Sequence, residues 1–284
     1  MNYDKTRNRY HLFVRKSKTA DNLIIVLRGS NMKLIITDLD NTLLRSDKSI
    51  SEYTVSVFEK CRKRGYWIAF ATARAENAMT RFSDAIRPHC IISNGGATIN
   101  VDGEIIYRNL MGQDDVATII KMCRQLTDTN GLITAECDEG YYCNFVPHDP
   151  DRYAAFTYSD FENFKTPSYK ITAELEKDEW VEKISKMCPN CSVLTFTGEK
   201  WRRFAVKNAD KETALQILAD HMGIDMTDVI AFGDDVNDLG MLKLAGTAVA
   251  VSNAIDEVKA IADHVTDSND QDGVAKFLEA TILA

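Results

Sequence analysis

Nothing in the 284 residues approaches the roughly 20 consecutive apolar residues of a membrane span. The early apolar run 23–27 is also shorter than a secretory signal core, so a cytoplasmic chain with no membrane partner is expected. An excess of basic charge is missing too. Lys and Arg number 34 against 42 Asp and Glu, for a net charge of −8, which argues against a general nucleic-acid binder. A locally positive pocket for an anionic ligand remains compatible with that balance. Histidine is scarce, and all five residues stand isolated, so none is assigned a catalytic role. The seven cysteines form no framework and are read as reduced thiols in a reducing compartment. The single CxxC, Cys188 to Cys191, lacks a second pair and a nearby histidine, and reads as two loop cysteines. There is no internal repeat and no low-complexity tract.

What is present is length enough for a large core and a regular alternation of strand and helix signals. A buried strand over 33–37 stops at Asp38 and Asp40. A helix is expected over 51–64, a strand over 67–71 ending at Thr72-Ala73-Arg74, a helix over 76–86 and a strand over 90–93 ending at Asn94-Gly95-Gly96. The rhythm then changes: a hairpin over 97–110, a helix over 114–127, two strands within 132–145, strands over 170–175 and 192–197, and a helix over 178–187 between them. It resumes with a helix over 211–222, a strand over 228–232, a helix over 237–244, a strand over 247–251, a helix over 254–262, an edge strand over 264–266 and a helix over 272–283. The expected fold class is α/β, a doubly wound, mainly parallel Rossmann-like sheet interrupted by an inserted α+β unit. The expected boundaries are 32–109 and 198–284 for the α/β unit and 110–197 for the insert. Residues 1–31 are basic, with Lys5, Arg7, Arg9, Arg15, Lys16, Lys18 and Arg28 against Asp4 and Asp21. They are read as an extension upstream of a natural start at Met32 or a poorly ordered arm, the rival being an arm that binds an anionic partner.

Three strand ends carry polar signatures: Asp38 with Asp40, Thr72, and Asp234, Asp235, Asn237 and Asp238 together. Carboxylates converging from separate strands repel one another unless a cation sits among them. Mg²⁺ suits such a site, since it accepts one or two carboxylates and completes its shell with phosphate oxygens. Lys211 opens the helix before the last acidic strand and could direct its ammonium into the same cleft. Acids, a lysine, a hydroxyl and a cation fit phosphoryl transfer, which is mostly positioning and charge stabilisation.

In order and spacing, Asp38-Leu39-Asp40-Asn41-Thr42, Thr72-Ala73-Arg74, Lys211 and Gly233-Asp234-Asp235-Val236-Asn237-Asp238 resemble the four motifs of the haloacid dehalogenase-like phosphatases. The large insert, preceded by Ser93-Asn94-Gly95-Gly96, resembles the Cof-type branch, subclass IIB, with its α+β cap domain. The resemblance spans residues 32–284. It implies that Asp38 is the nucleophile forming an aspartyl-phosphate and Asp40 the general acid and then base. The metal would be held by the Asp38 and Asp234 carboxylates and the Asp40 carbonyl. The Leu39 amide, Thr72, the Ala73 amide and Asn237 would hold phosphoryl oxygens, and Lys211 would neutralise charge there. Asp238 would orient Lys211 or water on the metal, with Asn94 and Asp235 supporting. The chain departs from the pattern at Ala73 and Glu212, where glycine is usual, and at Gly96, where alanine is common. The implied function is a Mg²⁺-dependent phosphatase acting on a small phosphorylated metabolite (a sugar phosphate, nucleotide or cofactor phosphate), as a monomer or homodimer. A phosphomutase of the phosphomannomutase type and a non-catalytic phosphate-ligand-binding regulator are the alternatives. Trp201-Arg202-Arg203 is expected as a solvated basic strand near the cap hinge, the rival being contact with a substrate phosphate or sugar; Tyr141, Tyr142, Phe161 and Phe164 are expected as the aromatic core of the insert, the rival being a substrate-pocket lining.

Overall fold

The computed structural model describes residues 10–16, 23–29, 32–147, 156–195 and 200–284. Near the N-terminus, β1 (Tyr10–Lys16) and β2 (Leu23–Gly29) pair antiparallel as a two-stranded sheet of their own. The basic arm thus contains a hairpin, and the remainder of 1–31 lies outside the described residues.

The main sheet begins with β3 (Lys33–Thr37), α1 (Glu52–Lys63), β4 (Tyr66–Ala71), α2 (Thr80–Ile86) and β5 (Cys90–Ser93). Residues 34–37 are all buried, as a strand covered on both faces requires. α1 starts where the Ser51 hydroxyl accepts the Thr54 amide at 3.0 Å, and Glu52 complements the dipole of its first turn. The expected helix over 76–86 opens with a tighter turn, 76–79, before α2. β6 (Thr98–Val101) and β7 (Glu104–Arg108) add the expected antiparallel hairpin at one edge.

The chain then leaves this sheet. α3 (Gln113–Leu126), β8 (Ile133–Cys137), β9 (Gly140–Cys143), β10 (Thr157–Tyr158), β11 (Ser168–Glu174), α4 (Asp178–Met187), β12 (Cys191–Thr195) and β13 (Trp201–Val206) follow. Their six strands form a second sheet in the order β10-β9-β8-β11-β13-β12, antiparallel except for the β9–β10 pair. The strands alternate: Ile133, Ala135, Ile171, Ala173 and Phe204 join residues of α3 and α4 in one apolar cluster, with Phe161 among them. Glu136, Lys170 and Arg203 fall on the opposite face by the same period of two. β13 corrects the expected boundary: residues 201–206 belong to this second sheet, because burying Phe204 in its core fixes their pairing with β11 and β12. Cys188 and Cys191, at the end of α4 and the start of β12, are buried and unpaired.

α5 (Lys211–Met222), β14 (Val229–Gly233), α6 (Leu239–Leu244), β15 (Thr247–Val251), α7 (Asp256–Ile261), β16 (His264–Thr266) and α8 (Gly273–Leu278) complete the main sheet. Its order is β16-β15-β14-β3-β4-β5-β6-β7, and the six strands from β16 to β5 are parallel. The fold is therefore α/β with a mainly parallel sheet and β3 near its centre. Among the described residues, no helix is long and apolar enough to cross a membrane.

Candidate active site

The order β14-β3-β4 brings three polar strand ends side by side. Asp38 follows β3 directly, and its amide donates to the Phe232 carbonyl of β14 at 3.0 Å. The chain then turns tightly: the Leu39 carbonyl accepts from the amides of Leu43 at 3.1 Å and Leu44 at 2.8 Å, and Asn41 takes a φ of 60°. That turn aims the Thr42 hydroxyl at Asp234, to which it donates at 2.6 Å. Beyond Asp234, Asp235 caps a tight turn over 236–238, so α6 starts two residues later than the apolar period suggests. The cap places Asp238 underneath, where its Oδ2 accepts the amides of Asp234 at 3.0 Å and Asp235 at 3.2 Å.

Lys211 is the first residue of α5, whose cap is the Asp210 carboxylate on the Thr213 amide at 2.7 Å. Its ammonium is buried and donates to Asp38 Oδ1 and Asp238 Oδ1, both at 2.6 Å. Asn94-Gly95-Gly96 explains how the helix start comes so close. Gly96 has a φ of +112°, and a Cβ there would overlap the Asp210 carbonyl and stand 2.7 Å from the Asp210 nitrogen. Glycine at 96, in place of the commoner alanine, is thus what the local geometry requires. Asn94 itself is buried at φ 53°, and its side-chain oxygen has no hydrogen-bond partner.

The electrostatics of the cluster follow from burial. Burial pushes Asp38 up, with Lys211 pulling down and Asp238 and Asp234 pushing up, as their mutual repulsion requires when no cation is present. Asp234 is pushed up to about 6, again by burial first, against the Thr42 hydrogen bond. Burial alone would lower Lys211, but Asp238 and Asp38 overcome it and hold the ammonium charged. One ammonium thus serves three carboxylates whose oxygens lie within 4.8 Å of one another. Asp238 already spends both oxygens on Lys211 and two amides, which leaves Asp38 and Asp234 with oxygens to spare. Hard oxygen donors with surplus negative charge fit a small divalent cation such as Mg²⁺.

Asp40 stands apart. Its carboxylate takes Arg74 Nε and Nη2, each at 2.7 Å, and Lys48 Nζ at 2.9 Å. Burial opposes its ionisation, yet the two cations prevail and hold the carboxyl at about 2. Thr72 is buried, with its hydroxyl accepting the Arg74 amide at 3.1 Å. The Ala73 carbonyl accepts from Lys170 Nζ at 2.7 Å, a contact from β11 of the second sheet. A cavity of about 470 Å³ lies at this junction, lined by Ala73, Gly95, Lys211 and Asn237 from the main-sheet unit and by Ser192 and Arg203 from the second.

Arg203 corrects the expected solvated strand: it lines this cavity, and Arg202 beside it is buried. Sequence reasoning also missed Lys48, Lys170 and the partner role of Arg74. A signal for Lys170 was available, since Glu136 and Lys170 each interrupt a strand at positions that alternate with apolar Ala135, Ile171 and Ala173.

A family model described as haloacid dehalogenase-like hydrolase matches residues 35–278. The chain belongs to the haloacid dehalogenase-like hydrolases. Among relatives of this family, it is 27% identical over 267 residues to the 5-amino-6-(5-phospho-D-ribitylamino)uracil phosphatase YitU of Bacillus subtilis, covering 87% of this chain and 96% of that one. A solved haloacid dehalogenase-like hydrolase from Bacteroides thetaiotaomicron matches with TM-score 0.75 at 25% identity, over 88% of this chain and 99% of the other. A solved subclass IIB sugar phosphatase shares the fold, with TM-score 0.75 at 23% identity over 88% and 98% of the two chains. Family and phosphatase-named relatives together support phosphatase activity, and the shared fold agrees with the Cof-type resemblance of the motifs.

Proposed function

We propose that this haloacid dehalogenase-like hydrolase is a Mg²⁺-dependent phosphomonoesterase that works through an aspartyl-phosphate on Asp38 and takes a small phosphorylated metabolite. The observation that carries the reading is the single Lys211 ammonium held at 2.6 Å from both Asp38 and Asp238, with Asp234 alongside. The Asp38 carboxylate attacks phosphorus while the bond to the leaving oxygen breaks and Asp40 gives that oxygen its proton. Asp40 then takes a proton from water as water attacks phosphorus, freeing phosphate and restoring Asp38. The Leu39 and Ala73 amides, Thr72 and Asn237 hold the phosphoryl oxygens, and Lys211 opposes the charge gathered there. Mg²⁺, held by Asp38, Asp234 and the Asp40 carbonyl, would add charge stabilisation of the same kind.

Asp40 must be protonated to act as the acid, and the Arg74 and Lys48 contacts keep it ionised. On this reading the incoming phosphoryl group competes for those cations and loosens their grip. The second sheet acts as a cap over the cavity, and its closure excludes water from the first step. Seven unpaired, buried thiols support a reducing, cytoplasmic setting. The relation to YitU adds a ribitylaminopyrimidine phosphate to the sugar phosphates, nucleotides and cofactor phosphates to be screened.

The test is phosphate release from p-nitrophenyl phosphate with Mg²⁺ or EDTA, for wild type and Asp38→Asn. Metal-dependent release that falls about a thousandfold or more in the near-isosteric variant is expected. Turnover that survives the substitution would sink the nucleophile assignment. Bisphosphate-activated transfer with little net phosphate release would identify a phosphomutase instead.

A further inference from the structure

Among the charged side chains on the polar face of the second sheet are Glu136 on β8, Lys170 on β11 and Arg203 on β13, which stand on adjacent strands. Two of them are partnered. Lys170 Nζ stands 3.0 Å from Glu136 Oε1 and donates to the Ala73 carbonyl. Arg203 is different. Among the described residues its Nε is buried without a hydrogen-bond partner, and the carboxylate that acts on it is Glu136, already joined to Lys170. Burial lowers its proton affinity, with Glu136 only partly offsetting that. A guanidinium cannot shed its charge as a lysine can, so an unpaired one pays the full cost of desolvation.

Its position is as informative as its solitude. The guanidinium lies over Gly95, where a Cβ would come within 3.1 Å of Nη1. The Gly95 amide in turn donates to the Thr72 carbonyl at 2.9 Å, one residue from Ala73. Arg203 therefore stands at the cavity wall beside the turn proposed to hold the phosphoryl group, and Lys207 lines the same space. Two acids share the wall: Asp210, whose carboxylate caps α5, and Glu212, which is exposed beside Gly240. A space of about 470 Å³ is ample for a leaving group as well as a phosphoryl group.

We propose that Arg203 determines specificity by binding a second anionic group, a carboxylate or a phosphate, on the leaving group of the substrate. This rests on the phosphatase reading, since it is that reaction's leaving group that Arg203 would bind. A planar guanidinium fork matches either anion in a two-toothed contact, and either would add to the partial counter-charge that Glu136 supplies.

The test uses three matched probes: glucose 6-phosphate with no second anion, 6-phosphogluconate with a carboxylate, and glucose 1,6-bisphosphate with a phosphate. Their binding is measured by calorimetry in the Asp38→Asn background, where turnover is blocked, with Arg203 intact or changed to Met or Lys. With Arg203 intact, at least one doubly anionic probe should bind about tenfold or more tightly than glucose 6-phosphate. Arg203→Met should bring that ratio to within about twofold, and Arg203→Lys, which keeps charge but loses the fork, should fall between. Which probe is preferred tells the carboxylate from the phosphate. Equal binding of all three, or a preference that persists in Arg203→Met, overturns the proposal. Should Arg203→Met fail to fold, a preference reduced in Arg203→Lys supports the proposal and one left at the wild-type ratio overturns it. Hydrolysis of p-nitrophenyl phosphate by the chain with Asp38 intact reports separately on the phosphatase reading, so the two can fail independently.

Discussion

Two cations grip Asp40, Arg74 through both arms of its fork and Lys48 through one. The carboxyl's value of about 2 lies below the 3.8 of an unstructured aspartate. The sign of the linkage follows: the contacts stabilise the fold fully above pH 3.8 and lose that contribution as pH falls through about 2. Solvent reaches about a third of this side chain, so screening leaves the stabilisation at about 1 kcal/mol. Arg74→Ala should raise the Asp40 midpoint toward its ordinary value, read from the carboxyl carbon by NMR titration with EDTA present. A midpoint unmoved by the substitution would show that Arg74 is not what holds the proton off. The positions of Asp38, Lys211 and Asp234 could be read from sequence because each follows a strand or opens a helix with a strong apolar period. The hold on Asp40 could not. It depends on a turn that brings Lys48 back eight residues along the chain and on the direction of the Arg74 side chain, neither of which leaves a periodic trace.

At the level of elements, α5 presents Lys211 to the acids only because its first turn can approach the Asn94-Gly95-Gly96 turn. Gly96→Ala would add both left-handed strain and an overlap with the Asp210 backbone, at a combined cost of roughly 3 kcal/mol or more. The shift needed to relieve it would carry Lys211 off Asp38, so thermal stability and phosphate release should fall together. Gly65→Ala is the control: at φ +85° with no atom within 4 Å of the added Cβ, it carries strain alone. It should cost about 1 kcal/mol and leave turnover near wild type. Equal losses of activity in the two variants would show that the contact with Asp210 is immaterial. Strand and helix order was legible here because parallel strands read as continuous apolar runs. Helix starts were less so: the cap at Asp235 delays α6 beyond the apolar period, since a hydrogen-bonded acid decides the first turn.

Across the whole molecule, two sheets with separate apolar cores meet over one cavity, and Lys170 ties them by donating from β11 to the Ala73 carbonyl. This level was the hardest to read in advance. An amphipathic pattern tells which strand positions face away from a core, as Glu136, Lys170 and Arg203 do, but not what that second face meets. The same ambiguity put residues 201–206 with the wrong sheet, since one short strand with Phe204 inward satisfies either partner. The tie can be weighed. Lys170→Met removes the ammonium from the carbonyl and leaves Glu136 with Arg203 alone nearby, both side chains of the lost pair being largely buried, for a loss of up to roughly 3 kcal/mol. Glu136→Gln in the same protein removes the carboxylate charge, so the double variant should recover part of that loss and show a coupling energy of roughly 1–3 kcal/mol in urea unfolding. What the double variant should not recover is the contact between the sheets. Its KM for p-nitrophenyl phosphate should stay raised, because the Ala73 turn proposed to hold the phosphoryl group has lost its support from the second sheet. A double variant with wild-type KM would mean that Lys170 serves only its ion pair within the second sheet and has no part in holding the two sheets over the site.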